Sequence, residues 1–216
     1  MNFCTEATGF STKFPGIKPY LLGLNGFFKF PIVSDVIMLS GLCAASRESF
    51  DWILGKTGPG SAVVIVAGGG VEVLEAIPKH YALYLSRRKG FIRKALQHGA
   101  HLVPVYSFGE TDVYDQHPYE EDGLIRWLQV RVNKIVGYPP AMFHGRGVFN
   151  YNAGILPYRR SIDTVVGEPI PVERNSDPSA EDINQLHEKY VKALVALFDE
   201  HKTEFGVDEN QQLRII

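Results

Sequence analysis

The apolar run from Leu102 to Phe108 restricts the folds open to this chain more than any other stretch of its sequence. Gly99 and Gly109 bound the run, and a short apolar run between turn signals is typical of a buried strand. An amphipathic helix that ends at Gly99 is predicted just before it, because four apolar residues share one helical side: Phe91, Ile92, Ala95 and Leu96. The sequence therefore predicts a helix that leads directly into a buried strand.

A second buried strand is predicted from Val63 to Ala67, where a β-branched run favours a strand covered on both faces. Gly68, Gly69 and Gly70 follow, and such glycines let the backbone turn sharply and approach a ligand closely. Strands that alternate with helices indicate βαβ crossovers. We therefore expect an α/β fold, with a mostly parallel sheet and flanking helices, in a single domain over residues 1–216.

Capping and turn signals predict the remaining elements. Ser46 caps a helix that buries Ile53, and Asp177 caps the final helix. The other predicted elements are a helix from Leu124 to Ile135, a shaped loop from Phe143 to Gly147, and strands from Tyr81 to Leu85 and from Thr164 to Val166.

The stretch from Tyr20 to Val36 comes nearest to a membrane-spanning segment, but Lys29, Pro31 and two glycines interrupt it. A spanning helix needs roughly 18 or more uninterrupted apolar residues, so none is predicted here. Burial of this stretch against the core is the favoured interpretation. A helix that lies on a lipid surface is the alternative.

The composition argues against several classes of protein. The net charge is −2, whereas nucleic-acid-binding proteins carry a broad basic face, so no nucleic acid partner is expected. Cys4 and Cys43 are the only cysteines, which excludes a disulfide framework. The histidines are scattered and show no metal-ligand spacing, so neither a metal nor a cofactor is predicted.

A local basic cluster occupies residues 87–94, and no acidic residue occurs between Glu75 and Glu110. Arg88 and Lys89 lie at the start of the predicted helix, where positive side chains oppose the helix dipole. An anion there would be held by these side chains and by free backbone N–H groups together. We therefore expect an anion site at Arg88 and Lys89, with a solvated helix start as the alternative.

Glu72 and His144 are the candidate groups for acid–base chemistry. Glu72 lies beyond a predicted buried strand, where ligand sites form in α/β proteins, although a solvated loop carboxylate is equally consistent with the pattern. His144 lies in a glycine-rich loop beside Arg146 and is a candidate general base, with a structural hydrogen bond as the alternative. The sequence lacks a phosphate-binding loop, a dinucleotide-binding glycine pattern and a Gly-x-Ser-x-Gly elbow.

Four segments, taken in order, resemble the type-2 diacylglycerol acyltransferase family. They are Arg-Lys-Gly-Phe at 88–91, Leu-Val-Pro-Val-Tyr-Ser-Phe-Gly-Glu at 102–110, Phe-His-Gly-Arg-Gly at 143–147 and Thr-Val-Val-Gly-Glu-Pro at 164–169. The family also contains monoacylglycerol acyltransferases and wax synthases, and the similarity runs along nearly the whole chain.

The resemblance implies an acyl-CoA-dependent O-acyltransferase that transfers a fatty acyl group to a hydroxyl of mono- or diacylglycerol in triacylglycerol synthesis. Acyl-CoA would then be a co-substrate, and no cofactor is expected. The implied location is the cytosolic face of the endoplasmic reticulum membrane and the lipid droplet surface. Oligomers with itself or with other family members are also implied as partners.

A glycerol-phosphate-acyltransferase-like fold is implied as well. In that superfamily Glu72 would match the glutamate of a Glu-Gly-Thr-Arg motif, and Pro104 a later proline. Val73 and Leu74 follow Glu72, so the arginine of the motif is missing, which suits a neutral acceptor that has no phosphate. The candidate substrate-binding residues are Gly69, Arg88, Lys89, Glu110 and Arg146.

The catalytic His-Pro-His-Gly motif proposed for the family, and the membrane hairpin before it, do not occur in this sequence. In the family the motif lies shortly before a stretch that resembles residues 2–8, so we expect an N-terminally truncated chain. Two interpretations follow. Either the complete protein has the family activity, or this chain is a catalytically impaired relative that binds acyl-CoA or lipid or has a regulatory role.

Overall fold

The computed structural model describes residues 3–69, 72, 80–116, 131, 143–148, 151, 154 and 156–216. Its contacts divide the chain into two compact units, each assembled from separate stretches of sequence. The first unit comprises Met1–Ala67, Gly90–His101 and Pro171–Ile183, and the second comprises Gly68–Lys89, Leu102–Ile170 and Asn184–Ile216. The single domain over residues 1–216 stays a prediction.

The first unit contains a three-stranded parallel sheet. β1 (Lys18–Gly23) lies between β2 (Cys43–Ala44) and β3 (Ser61–Ile65). The strand predicted at Val63 is therefore confirmed, but its side chains are only partly buried, and Val66 just beyond it is 68% exposed. The expectation of a strand covered on both faces is wrong.

Two helices of the first unit follow their sequence signals closely. The helices of this unit are α1 (Phe10–Lys13), α2 (Pro31–Leu39), α3 (Arg47–Lys56) and α4 (Gly90–His98). Ser46 is the N-cap of α3, and its Oγ accepts a hydrogen bond from the N–H of Ser49 at 3.2 Å. α4 buries Ile92 and Ala95, and it ends before Gly99, whose φ of 67° is the left-handed conformation that glycine adopts readily.

The apolar segment from Tyr20 to Val36 is only partly buried. Leu22 on β1 is 4% exposed, but α2 buries no residue, and its Ile32 and Leu39 are 80% and 88% exposed. The expected burial is therefore correct for β1 and wrong for α2. No helix in the described part of the chain has both the length and the apolarity to cross a membrane.

The second unit contains strands of both orientations. They are β4 (Ala82–Leu83), β5 (Val105–Phe108), β6 (Asp115–Gln116), β7 (Phe143–His144), β8 (Asp163–Val166) and β9 (Arg214–Ile215). β4 pairs with β9 in parallel, whereas β5 with β8 and β6 with β7 pair antiparallel. Together with the first unit, the described residues form a mixed α/β structure of small sheets rather than one mostly parallel sheet.

The apolar run at Leu102 forms part of an antiparallel arrangement. Leu102 makes an antiparallel bridge with Ile170, and β5 pairs with β8 so that Ser107 lies opposite Thr164. The hydroxyls of these two residues lie 2.9 Å apart. The strand predictions at 102–108 and 164–166 are confirmed in position, but a parallel crossover at β5 is not what the chain adopts.

The final helix, α5 (Ala180–His201), supplies the aromatic centre of the second unit. Phe198 is 0% exposed, and its ring centroid lies 5.4 Å from that of Tyr81, 5.1 Å from that of Tyr106 and 5.6 Å from that of Phe108. These ring contacts fix β5 against α5.

The cap of α5 differs from the predicted one. Ser179 Oγ accepts the N–H of Asp182 at 3.1 Å, and Asp182 Oδ2 accepts the N–H of Ser179 at 2.9 Å. This reciprocal pair is a capping box, which satisfies two N–H groups that the helix leaves unpaired. Asp177 instead donates its N–H to Asn175 Oδ1 at 3.1 Å in the preceding turn, so the predicted cap at Asp177 is wrong by two residues.

Two predictions fall on other parts of the chain. The helix from Leu124 to Ile135 lies outside the described residues except for Arg131, which is helical. The loop predicted from Phe143 to Gly147 is wrong. It begins with β7, and antiparallel bridges then join Gly145 to Gly154 and Arg146 to Leu156.

Candidate functional site

The glycine turn that opens the second unit is shaped around a carboxylate. A Cβ atom added at Gly68 would lie 2.0 Å from Oε2 of Glu72 and 2.5 Å from its Oε1. Real Cβ atoms do not approach other atoms so closely, so the carboxylate of Glu72 packs directly on the Cα of Gly68. Glycine is thus the only residue at position 68 that leaves this carboxylate where it lies.

Glu72 holds its carboxylate in a poorly solvated place. Oε1 is buried and has no hydrogen-bond partner among the described residues. Burial raises the pKa of Glu72, and the negative charge of Glu110 raises it further, while the backbone N–H of Tyr84 and the charge of Arg88 act in the opposite direction. A carboxylate whose pKa is raised in this way is a better proton acceptor than one in water.

Arg88 lies over the second glycine of the turn. Its Nη2 is 3.5 Å from the place that a Cβ of Gly69 would occupy, and Gly69 has a φ of 68°. Four of the predicted site residues therefore meet in the second unit: Gly69, Glu72, Arg88 and Glu110. This grouping supports the interpretation of Glu72 as a site residue rather than a solvated loop carboxylate.

Tyr106 is a member of this cluster that the sequence analysis missed. Burial raises the pKa of its hydroxyl, and so do Tyr81, Glu72 and Glu110, in that order. Burial also raises the pKa of Tyr81, with a further contribution from Asp112. The signal available in the sequence is a hydroxyl-bearing ring within an apolar run, and such a run by itself indicates only a strand.

A cavity of about 490 Å³ lies next to Arg88. It is lined by Tyr84, Ser86, Arg87, Arg88 and Ile216. Lys89 is not among the lining residues, and its Nζ donates a hydrogen bond to Asn184 Oδ1 at 2.7 Å. Arg87 is thus the basic residue that accompanies Arg88 in the lining, and Lys89 stays a predicted anion-binding residue.

His144 and Arg146 form a second cluster on β7 and the bridges that follow it. His144 Nε2 lies 3.6 Å from Asp115 Oδ2, and Arg146 Nε donates to the carbonyl of Pro157 at 3.0 Å. Asp115 also hydrogen-bonds Tyr158 and, with burial as the larger cause, raises the pKa of that tyrosine. The charged neighbour of His144 is therefore Asp115, whereas the charges that act on Glu72 come from Glu110 and Arg88.

A metal site would need several ligating side chains close together. Within the described ranges, no three or more histidine, cysteine, aspartate and glutamate side chains group closely enough to hold a metal ion.

Comparisons with known proteins cover the whole sequence. Residues 1–216 match the family model described as diacylglycerol acyltransferase. Diacylglycerol O-acyltransferase 2 of Bos taurus is 48% identical over 215 residues, which are 99% of this chain and 60% of the relative. The Homo sapiens protein of the same name is 47% identical over 215 residues, which are 99% of this chain and 55% of the relative.

A second group of relatives carries a different name. Acyl-CoA wax alcohol acyltransferase 2 of Homo sapiens is 45% identical over 215 residues, which are 100% of this chain and 65% of the relative. The chain thus spans between 55% and 65% of the length of these curated relatives. No solved structure matches it.

Proposed function

We propose, because this chain belongs to the diacylglycerol acyltransferase family, that it forms part of an acyl-CoA-dependent O-acyltransferase. The reaction would transfer a fatty acyl group from the CoA thioester to a free hydroxyl of mono- or diacylglycerol. The observation that carries the proposal is a family match over the whole chain, with relatives that are named for acyl transfer at 45% to 48% identity.

Glu72 is the group to which we assign the proton in this reaction. The hydroxyl oxygen attacks the thioester carbonyl, the CoA thiolate leaves, and the hydroxyl proton must pass to a base. The buried Oε1 of Glu72 has no partner among the described residues, and burial raises the pKa of the carboxyl group. It can therefore accept that proton or orient a histidine that does.

His144 is the second candidate for the base. Asp115 Oδ2 lies 3.6 Å from its Nε2, where the carboxylate can orient the imidazole ring. Both side chains are substantially exposed, at 41% and 56%, so water weakens the pair. Replacement of His144 by Ala therefore distinguishes the two assignments, because turnover persists if Glu72 is the group that matters.

The donor would be held through its phosphates. A guanidinium group offers a fork of N–H donors that suits phosphate oxygens, and two such groups, from Arg87 and Arg88, line the cavity of about 490 Å³. We assign this cavity to the phosphate-bearing part of acyl-CoA. Glu110 and Arg146 stay predicted substrate-binding residues, Glu110 through its charge near Glu72.

The proposal extends to fold and location. A glycerol-phosphate-acyltransferase-like arrangement is supported by a glycine turn and a glutamate that follow β3 in the chain. The cytosolic face of the endoplasmic reticulum membrane and the lipid droplet surface are the proposed locations, with oligomers of this chain or of its relatives as partners. The exposed apolar residues of α2, such as Ile32 and Leu39, support contact with lipid.

A binding or regulatory role is the second candidate function. The His-Pro-His-Gly motif that is proposed as catalytic in the family does not occur within these 216 residues. A chain without it would retain acyl-CoA or lipid, or pair with a complete relative, with little turnover of its own.

The deciding experiment measures transfer and binding on the same preparation. Membranes that contain the chain are incubated with labelled oleoyl-CoA and monoacylglycerol or diacylglycerol, and membranes without it serve as the control. Labelled di- or triacylglycerol is the expected product. Binding of oleoyl-CoA without any acylglycerol product would favour the regulatory role, and the absence of both binding and product would contradict both candidates.

A further inference from the structure

The last strand of the chain supports the segment that carries the two cavity arginines. β9 pairs in parallel with β4, so that Arg214 donates its N–H to the carbonyl of Tyr81 at 2.9 Å and Ile216 donates to Leu83 at 2.8 Å. The carbonyl of Ile216 then accepts two further N–H groups, from Leu85 at 3.1 Å and from Ser86 at 3.0 Å. The backbone that leads directly into Arg87 is thus bonded to Ile216.

Helix α5 forms hydrogen bonds with both ends of the same segment. His187, which is 8% exposed, donates from Nε2 to the carbonyl of Leu85 at 3.0 Å. Three residues earlier on α5, Asn184 accepts the hydrogen bond from Lys89 Nζ at 2.7 Å. Residues 85 and 89 are therefore both anchored, and the two arginines lie between them.

The cavity combines charge with a less polar wall. Arg87 and Arg88 supply two guanidinium groups, while Tyr84 and Ile216 line the same space. No acidic residue occurs in the sequence between positions 75 and 110, and the carboxylate whose charge interacts with Arg88 is that of Glu72. Such a lining suits a ligand that carries phosphate groups together with a flat ring system, as a nucleotide does.

We propose that β9 is a positioning element, which holds Arg87 and Arg88 in a preformed site for the nucleotide part of acyl-CoA. This inference rests on the proposed function for the identity of the donor. Two long side chains on a loose segment would have to be ordered during binding, and that cost lowers affinity. A segment that is already bonded to β9 and α5 avoids most of it.

Proline substitutions separate this role from a general loss of stability. Ile216→Pro removes the N–H that bonds Leu83. Ile215→Pro is the matched control, because only alternate residues of a parallel strand bond to a given neighbour, and here these are Arg214 and Ile216. Both variants carry the same change at adjacent positions, at the end of β9 and just beyond it.

The readouts are the dissociation constants for oleoyl-CoA and for adenosine 3′,5′-bisphosphate, together with donor KM, acceptor KM and kcat. Ile216→Pro should raise both dissociation constants and the donor KM about fivefold, with kcat at saturating donor and the acceptor KM unchanged. Ile215→Pro should change each value less than about twofold. In an Arg87→Ala/Arg88→Ala background, Ile216→Pro should have little further effect, because both groups that it positions are gone.

A gentler pair of variants guards against misfolding of Ile216→Pro. Asn184 is exposed, so Asn184→Ala should fold while it releases Lys89, and it should raise the dissociation constant of oleoyl-CoA about two- to threefold. Asn184→Gln keeps an amide oxygen as an acceptor for Lys89 without adding charge, and it should stay closer to the wild-type value than Asn184→Ala. Equal effects of Ala and Gln, or of the two proline variants, would overturn the inference.

The outcome also separates this inference from the proposed function. Normal acyl transfer with unchanged CoA affinity in all of these variants contradicts the positioning role alone. If the wild-type chain binds adenosine 3′,5′-bisphosphate and the Ile216→Pro variant binds it more weakly, but no acyl group is ever transferred, the proposed activity is wrong and the nucleotide site stands.

Discussion

Gly68 is the position where the account of the site can be tested most sharply by one added methyl group. A Cβ there would lie 2.0 Å, 2.2 Å and 2.5 Å from Oε2, Cδ and Oε1 of Glu72. All three atoms belong to the far end of a flexible side chain, so the carboxylate can move away. Gly68→Ala should therefore displace the carboxylate without a large change in the backbone.

The expected magnitudes follow from this geometry. The φ of Gly68 lies outside the left-handed range, so alanine gains about 0.4–1 kcal/mol from the less flexible unfolded chain. Moving the carboxylate offsets part of that gain, and the free energy of unfolding should stay within about 1 kcal/mol of wild type. Loss of an acid–base group lowers turnover about 10²–10⁴-fold, so kcat should fall at least about 100-fold.

Gly69→Ala is the matched control. Gly69 has a φ of 68°, which costs an L-residue about 1–2 kcal/mol, but its nearest neighbour would be Arg88 Nη2 at 3.5 Å, an ordinary contact. This variant should lose more stability than Gly68→Ala and less activity. Urea unfolding measures the stability, and transfer of the labelled oleoyl group from oleoyl-CoA to diacylglycerol measures the activity. If Gly68→Ala kept its turnover, or lost it only in proportion to its stability, the assigned role of Glu72 would be refuted.

Four further variants test the charges of the structure. Glu72→Gln should raise the free energy of unfolding at neutral pH, because the pKa of Glu72 is raised in the folded state and burial of the charged form is unfavourable. The gain should vanish below the ordinary carboxyl pKa, where the carboxyl group is protonated in both states. Urea unfolding at a series of pH values measures this dependence. Arg88→Ala should weaken oleoyl-CoA binding about tenfold, and Lys89→Ala only about two- to threefold, since only Arg88 lines the cavity; equal losses by calorimetry would contradict this. Asp51→Asn should lower the free energy of unfolding by up to about 1 kcal/mol at pH 7. Lys94, whose Nζ lies 2.6 Å from Asp51 Oδ1, and then His98 lower the pKa of Asp51. The side chain of Asp51 is 48% exposed, so water screens these interactions. A lowered pKa stabilises the fold above the ordinary aspartate pKa, so the difference between Asp51→Asn and wild type should shrink as the pH falls below that value, and a constant difference would rule out the ion pair.

Local features of the fold could be predicted because short-range rules determine them. Ser46 caps α3 and Gly99 ends α4 as expected, since a side-chain oxygen at an N-terminus and a left-handed glycine at a C-terminus act within one turn. The cap of α5 was misplaced because Asp177 and Ser179 both carry the right oxygen. Which of them serves depends on the turn that Asn175 forms before the helix.

Pairing between strands could not be predicted, because it depends on residues far apart in sequence. The run at Leu102 gave the position of β5 but not its partner, and its pairing with β8 turned out to be antiparallel. The same limit explains α2, whose apolar residues remain exposed although their composition favoured burial. An apolar pattern indicates that a surface avoids water, and it does not identify what covers that surface.

The candidate site was predictable in part. Glu72, Gly69 and Arg88 were identified because a glycine turn after a strand and a local excess of positive charge are visible in sequence. Tyr106 was missed, since its importance arises from contacts of β5 within the second unit. Arg87 was placed in the basic cluster but not among the candidate substrate-binding residues, because its place in the cavity lining depends on the fold. His144 was singled out because it lies in a glycine-rich segment. In the structure Gly145 forms an antiparallel bridge with Gly154, and Asp115 is a charged neighbour of His144.

The most direct test of the central claim is oleoyl-CoA-dependent formation of labelled acylglycerol by the wild-type chain and by Glu72→Gln, measured in parallel at equal expression. The account predicts labelled product from the wild type, and at least about a 100-fold lower rate from the variant with unchanged oleoyl-CoA binding. A Glu72→Gln variant that transfers the acyl group at the wild-type rate would contradict it.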